Sequence, residues 1–268
     1  MSSNGRLKGQ RNLIRSSLLA LAVALSVGGC AATRGDVTGS IQASSSPTSD
    51  SEARKRIETY GQQYKSDPRN PEIAVAYAQA LRATGQHAQA AAVLQQASIN
   101  NPQNMAVLGA YGRALADNGE FAQALEVLRK AHRPDQPDWR ILNAQGTVLD
   151  QMGNNAEARR YYETALKIAP NEAAILSNLG LSYALSKDLP HAETTLKRAS
   201  QLPGAEPKIR QNLALVLGLQ GKFEEAEHVA ASDLPPEEAK ANIAQLREMI
   251  GQQNPWKKLG QNTASTNG

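Results

Sequence analysis

The sequence predicts an all-α protein: an α-solenoid of about five helix pairs, with a capping helix at either end. Three observations predict it. Apolar residues recur at helical spacing through most of the chain, with no run of strand-like alternation. Small residues return every thirty-four positions in several independent series. Turn signals, mostly glycine, cut each period into two short helices.

The clearest unit runs from Trp139 to Pro170. Its first helical pattern carries Ile141, Leu142, Gln145, Gly146 and Leu149, and its second carries Ala158, Tyr161, Tyr162, Ala165 and Leu166. Gly153-Asn154-Asn155 joins the two, and Pro170 stops the second helix. Stepped by thirty-four, the turn position reads Gly85, Gly119, Gly153, Lys187, Gly221. The second helix opens on Ala90, Ala124, Ala158, Ala192, Ala226. The first helix holds Ala78, Gly112, Gly146, Gly180, Ala214, and a fourth series reads Ala97, Ala131, Ala165, Ala199 before breaking at Asp233.

Each series has a physical cause. The turn residue must take up the left-handed backbone, which glycine adopts without a Cβ clash; Lys187 is expected to do so under strain of about 1 kcal/mol. The small residue of the first helix is expected to face the alanine opening the second, so that the axes approach to roughly 8–10 Å. The fourth series lets the second helix lie close to the first helix of the next copy. One hairpin cannot bury its own apolar face, and only stacking does so.

Period and pattern together resemble the tetratricopeptide repeat. The third copy matches that family's pattern at Leu142, Gly146, Gly153, Ala158, Tyr162, Ala165 and Pro170, while the second departs at its end, where Pro134 and Pro137 flank the usual proline position. Full copies are expected at about 71–104, 105–138, 139–172, 173–206 and 207–234.

Residues 1–29 have the form of an export signal. Arg6, Lys8, Arg11 and Arg15 precede the apolar run Leu18 to Leu25, which is shorter than the roughly 20 residues a transmembrane helix needs. Val27-Gly28-Gly29-Cys30 then resembles the lipobox of bacterial lipoproteins, and that resemblance implies a lipidated Cys30 as the new amino terminus. Cys30 is the only cysteine, which excludes a disulfide within the monomer. Ala31 follows it rather than aspartate, and by resemblance this favours the periplasmic face of the outer membrane in a Gram-negative cell.

Residues 30–50, rich in Ser, Thr and Gly, read as the lipidated cysteine and a flexible tether reaching about 25 Å. The solenoid is expected over 51–250. A capping helix at 51–66 carries Ile57, Tyr60 and Tyr64, and a second at 236–250 carries Ala239, Ile243, Leu246 and Ile250. Residues 251–268 read as a polar, disordered tail. In it Trp256 is expected to fold back on the last helix, the alternative being a docking anchor.

No catalytic chemistry is legible. His87, His132, His191 and His228 sit at four different repeat positions, with no pair at ligand spacing, so no metal is expected. Neither a nucleophile elbow nor a phosphate loop is present. No cofactor is expected beyond the lipid on Cys30, and no small-molecule substrate. Setting aside the four basic residues of the export signal, the 29 Lys and Arg fall to 25 against 25 Asp and Glu, so no nucleic-acid partner is expected. The chain reads as a protein-binding module, not an enzyme.

In the tetratricopeptide family the first helix of each pair lines the concave surface. By resemblance the early copies present Gln79, Arg82, Arg113, Arg140, Asn143 and Asp150 there, and the later ones Asn178, Leu181, Leu185, Asn212, Leu215 and Leu219. Such a groove is cationic and polar at one end and apolar at the other. Its asparagines are suited to hold a peptide backbone, each having one acceptor and two donors. The clamp of chaperone-binding repeats is ruled out, because its Lys and Asn places hold Val75 and Gln79.

The short stack, the neutral body and the ending from Asn242 to Ile250 followed by Asn254-Pro255-Trp256 look most like TadD-type lipoproteins of the tight-adherence (Flp) pilus system. That resemblance implies a pilotin-like assembly factor whose partners are the secretin or other pilus-assembly components. The alternative is a scaffold for cell-wall enzymes or outer-membrane protein assembly.

Overall fold

The computed structural model describes residues 47–252. Cys30, the export signal, most of the expected tether and Trp256 lie outside the described residues. Among these there are twelve helices and no strand. They are α1 (Pro47–Ser66), α2 (Pro71–Ala83), α3 (His87–Asn100), α4 (Met105–Asp117), α5 (Phe121–Ala131) and α6 (Trp139–Gln151). Then follow α7 (Asn155–Ile168), α8 (Ala173–Leu185), α9 (Leu189–Ser200), α10 (Pro207–Leu219), α11 (Phe223–Ala230) and α12 (Pro236–Gln252). Helix α1 begins at Pro47, four residues ahead of the expected Ser51.

Starts and stops of the helices follow the repeat. Asn70 Oδ1 accepts from the backbone N–H of Glu72 and Ile73 at 3.0 and 3.1 Å, Asn104 from Val107 at 3.1 Å, and Asp138 from Arg140 at 2.8 Å. These caps form a further thirty-four-residue series that sequence reasoning missed; it ends at Glu172 and Glu206, which make no side-chain cap. Each hairpin turn closes through one hydrogen bond of the same type: Gln86 N–H to Leu81, Glu120 to Leu115, Asn154 to Leu149, Asp188 to Tyr183 and Lys222 to Leu217, at 2.8–2.9 Å. The turn requires a left-handed residue. Gly153 supplies it at φ +81°, and Lys187 is forced into it at φ +64°.

Packing between paired helices corrects one expectation. The small residue of the first helix is covered by a large side chain four positions past the opening alanine, rather than by the alanine itself. A Cβ on Gly112 would sit 2.5 Å from Leu128 Cγ, on Gly146 2.5 Å from Tyr162 Cε1, and on Gly180 2.6 Å from Leu196 Cγ. The alanine contributes its carbonyl behind that contact, with Ala124 O and Ala192 O each 3.3 Å from the added atom. The glycines are therefore sockets, and Leu128, Tyr162 and Leu196 are fully buried knobs. A second kind of socket joins neighbouring first helices, where Gly109 receives Ile141 and Gly218 receives Leu246.

Neighbouring first helices α2, α4, α6, α8 and α10 touch in series, and α12 takes the next such place. The second helices α3, α5, α7, α9 and α11 make no comparable approach to one another. A stack whose one row is close-set and whose other row is splayed must curve towards the close-set row. The concave wall is thus made of first helices. At the N-terminal end Ile57 and Tyr64 of α1 pack on the core, with the Tyr64 and Tyr77 rings 5.6 Å apart. At the other end Ala239 and Ile243 of α12 are buried against α10 and α11, and Arg210 is ion-paired with Asp233 just past α11.

Candidate docking groove

Every expected groove residue lies on a first helix of the stack. Gln79, Arg113, Thr147, Leu181 and Leu215 hold equivalent places in successive copies and are exposed or half-buried, so one continuous line runs along the concave wall.

At the N-terminal end the structure brings three arginines together. Arg82 Nε donates to Asp117 Oδ2 at 2.5 Å, and His87 Nδ1 lies 3.9 Å from the same oxygen. The Arg140 guanidinium lies 4.5 Å over the Trp139 ring and 3.7 Å from Asp138. Arg113 stands between them on α4. Burial, and then the charge of Arg82, lower its pKa from the ordinary guanidinium value, while Asp138 and Asp117 partly offset the shift and Arg140 adds to it. Sequence reasoning found the arginines but not the two aspartates that partly balance them.

The asparagines are partly used within the stack. Asn178 Nδ2 donates to Asn143 Oδ1 at 3.0 Å and lies 3.5 Å from Thr147 Oγ1, and Asn212 Nδ2 donates to Ser177 Oγ at 3.2 Å. These bonds tie α6 to α8 and α8 to α10. Among the described residues no hydrogen bond uses the Asn143 amide nitrogen or the Asn178 and Asn212 amide oxygens.

Asp150 departs from its expected role. It accepts from Tyr162 Oη at 2.9 Å, Ser182 Oγ at 2.7 Å and Asn155 Nδ2 at 2.7 Å, so it joins α6, α7 and α8 rather than facing a partner. That network was invisible in the sequence because its four members come from three helices.

The far end is apolar. Leu181 is half-buried, whereas Leu185, Leu215 and Leu219 are 59, 42 and 42 % exposed. Leu181 and Leu185 are one turn apart on α8, as are Leu215 and Leu219 on α10, so the four share one face. Three exposed leucines and the half-buried Leu181, on adjacent helices, form a patch, not scattered surface apolar residues. Among the described residues no group of three or more His, Cys, Asp or Glu is placed to hold a metal ion, and no helix is long and apolar enough to cross a membrane.

A close-set inner row of helices, an outer splayed row and a repeated hairpin turn define a helical-repeat scaffold. The sequence matches the tetratricopeptide repeat over residues 58–138 and again over 139–203, and the chain belongs to the tetratricopeptide-repeat family. Solved structures share the fold. A tetratricopeptide repeat protein from Parabacteroides merdae superposes at TM-score 0.62 with 14 % identity, over 75 % of this chain and 78 % of that one. Pseudomonas aeruginosa pilF superposes at 0.51 with 19 % identity, over 69 and 82 %. A chain of the APC/C Cut9–Hcn1 hetero-tetramer superposes at 0.61 with 16 % identity over 76 % of this chain, which spans only 40 % of that one. No curated protein is significantly similar in sequence. Tetratricopeptide repeats are generally protein-interaction scaffolds.

Proposed function

We propose that the chain is a lipoprotein of the Gram-negative outer membrane that holds a protein partner on the concave face of its repeat stack. In this reading it serves as a pilotin-like assembly factor for Flp-type pili, with the secretin or another pilus-assembly component as the partner. The observation that carries the reading is the joining of a lipobox at Cys30 to a solenoid that begins within about twenty residues of it. A lipid at one end and a groove along the body suit a protein that keeps its client beside a membrane. The asparagine ladder and the leucine patch lie on one face, which supports binding of an extended segment through both backbone and side chains.

Deletion of the gene is expected to abolish surface pili while leaving general outer-membrane protein levels intact. A photo-crosslinking residue placed at Leu181 or Leu215 should trap a pilus-assembly component, whereas one at Arg160, exposed on the outer row, should not. Normal piliation in the deletion strain, or identical products from all three positions, would overturn the reading. Murein hydrolases or barrel-assembly subunits in the adducts would transfer the role to cell-wall or outer-membrane protein assembly.

A further inference from the structure

We infer that Arg113 is an anion seat on the concave wall, placed to receive a carboxylate from an acidic segment of the protein partner. The inference rests on the reading of that wall as the docking face, and it names the chemistry of what docks there.

The geometry singles out Arg113 among the three clustered arginines. Arg82 is held by Asp117 at 2.5 Å, and Arg140 is spread over Trp139 with Asp138 3.7 Å away. Arg113 makes neither a hydrogen bond nor an ion pair among the described residues, although it is half-buried. Its guanidinium folds back along α4 over Gly109, where an added Cβ would lie 3.5 Å from Nη1. That is an ordinary contact distance: the Gly109 socket itself is filled by Ile141, and the guanidinium lies beside it. The guanidinium carries five N–H donors in a fixed fork, none of them taken by a described residue.

Charge says what fits. Three arginines face two aspartates, which leaves one net positive charge at the cluster. A carboxylate matches that charge and the two-pronged geometry of a guanidinium. A phosphate dianion would bring two charges against Asp117 and Asp138 where the cluster has one to neutralise. The asparagines and leucines further along the same wall suit a polypeptide, so the acid belongs to a protein segment.

The test uses full-length protein in detergent micelles and two fluorescein-labelled peptides, hexaglutamate and hexaglutamine, read by fluorescence anisotropy. Hexaglutamate is expected to bind at least about tenfold more tightly than hexaglutamine. Arg113→Gln should erase that preference, and Arg160→Gln, on the outer row, should keep it. Asp138→Asn retains a helix-capping side chain and should tighten hexaglutamate binding by about threefold. A preference that survives Arg113→Gln overturns the inference, as does one lost equally in Arg160→Gln. If Arg113→Gln fails to fold, as circular dichroism would show, an Asp138→Asn protein that binds no tighter overturns it instead. Inorganic phosphate competing better than glutamate at equal concentration would overturn the carboxylate assignment. Crosslinks from Leu181 and Leu215 that persist while hexaglutamate ignores Arg113 remove the anion seat alone. Absent crosslinks remove the docking face itself.

Discussion

The ring of Tyr162 occupies the space that a side chain on Gly146 would need, since an added Cβ would come within 2.5 Å of its Cε1 and 2.8 Å of its Cζ. The same ring carries a hydroxyl that donates to Asp150 at 2.9 Å. One residue of α7 thus fixes both the closeness and the register of its crossing with α6.

Filling the socket is expected to destabilise the stack. Gly146→Leu overpacks a contact whose partner is 1 % exposed and pinned at its hydroxyl, at a cost of about 1–3 kcal/mol. For a folded body of this size each kcal/mol lowers the melting temperature by about 2–4 °C. Tyr162→Ala in the same chain should recover part of the loss, because the two changes act on one contact. An unaltered melting curve for Gly146→Leu would show that the glycine is no socket.

Burial, reinforced by the charge of Asp150 and the hydrogen bond to it, pushes the Tyr162 hydroxyl far above the ordinary tyrosine range. The folded state therefore keeps a proton that the unfolded chain releases near pH 10. Stability linked to this group is fully present below pH 10 and falls as pH rises above it, by about 1.4 kcal/mol per pH unit. Denaturant midpoints between pH 9 and 11.5 measure the slope. Tyr162→Phe should be less stable at pH 8, having lost its bond to Asp150, yet should fall less steeply above pH 10. Parallel slopes for the two proteins would place the hydroxyl in contact with solvent.

The fourth turn carries the only non-glycine residue at positive φ among those described, Lys187. Its left-handed backbone costs about 1–2 kcal/mol against glycine, and the greater freedom of glycine in the unfolded chain returns about half of one. Lys187→Gly should accordingly raise stability by about 0.5–1.5 kcal/mol. A lower melting temperature would mean that the lysine side chain contributes something beyond the turn.

Leu213 and Leu215 stand two residues apart on α10 with opposite surroundings. Leu213 is 4 % exposed, and Leu213→Ala should cost about 2–5 kcal/mol. Leu215 is 42 % exposed on the concave wall, so Leu215→Lys should shift stability by no more than about 0.5 kcal/mol. In cells the second variant should lose its crosslinked partner while remaining folded. Equal destabilisation by the two would show that the leucine patch is core.

Much of the architecture was legible because a repeat writes each contact several times. Gly153 alone is a weak turn signal, but five equivalents, one of them Lys187, fix the hairpin length. The knobs Leu128, Tyr162 and Leu196 were less legible, since they vary in identity and only their size and burial are constant. The cap series Asn70, Asn104 and Asp138 rests on single polar residues, which apolar spacing does not reveal. Asp150 is illegible in the sequence for a different reason. Its position in the repeat points inward, but Tyr162, Ser182 and Asn155 capture it from neighbouring helices, and such captures depend on packing between copies. Arg113 is legible by its position in the repeat, whereas its lack of a hydrogen bond among the described residues depends on Asp117 and Asp138 being engaged by other side chains.

Anchoring is tested at Cys30, which lies outside the described residues. The proposed lipidation would attach several acyl chains, and each buried methylene contributes about 0.8 kcal/mol, so the mature protein should partition wholly with membranes and resist extraction by high salt. Cys30→Ala removes the only thiol in the chain. The variant should either remain at its unprocessed mass or appear as soluble protein in the periplasm, with the same helical circular dichroism, because the described helices begin at Pro47. Intact mass spectrometry separates these outcomes from the wild type, whose amino terminus should carry the mass of its acyl groups. A processed Cys30→Ala protein that still floats with membranes would place the anchor elsewhere in the chain, and the concave wall would no longer be tied to the membrane through Cys30.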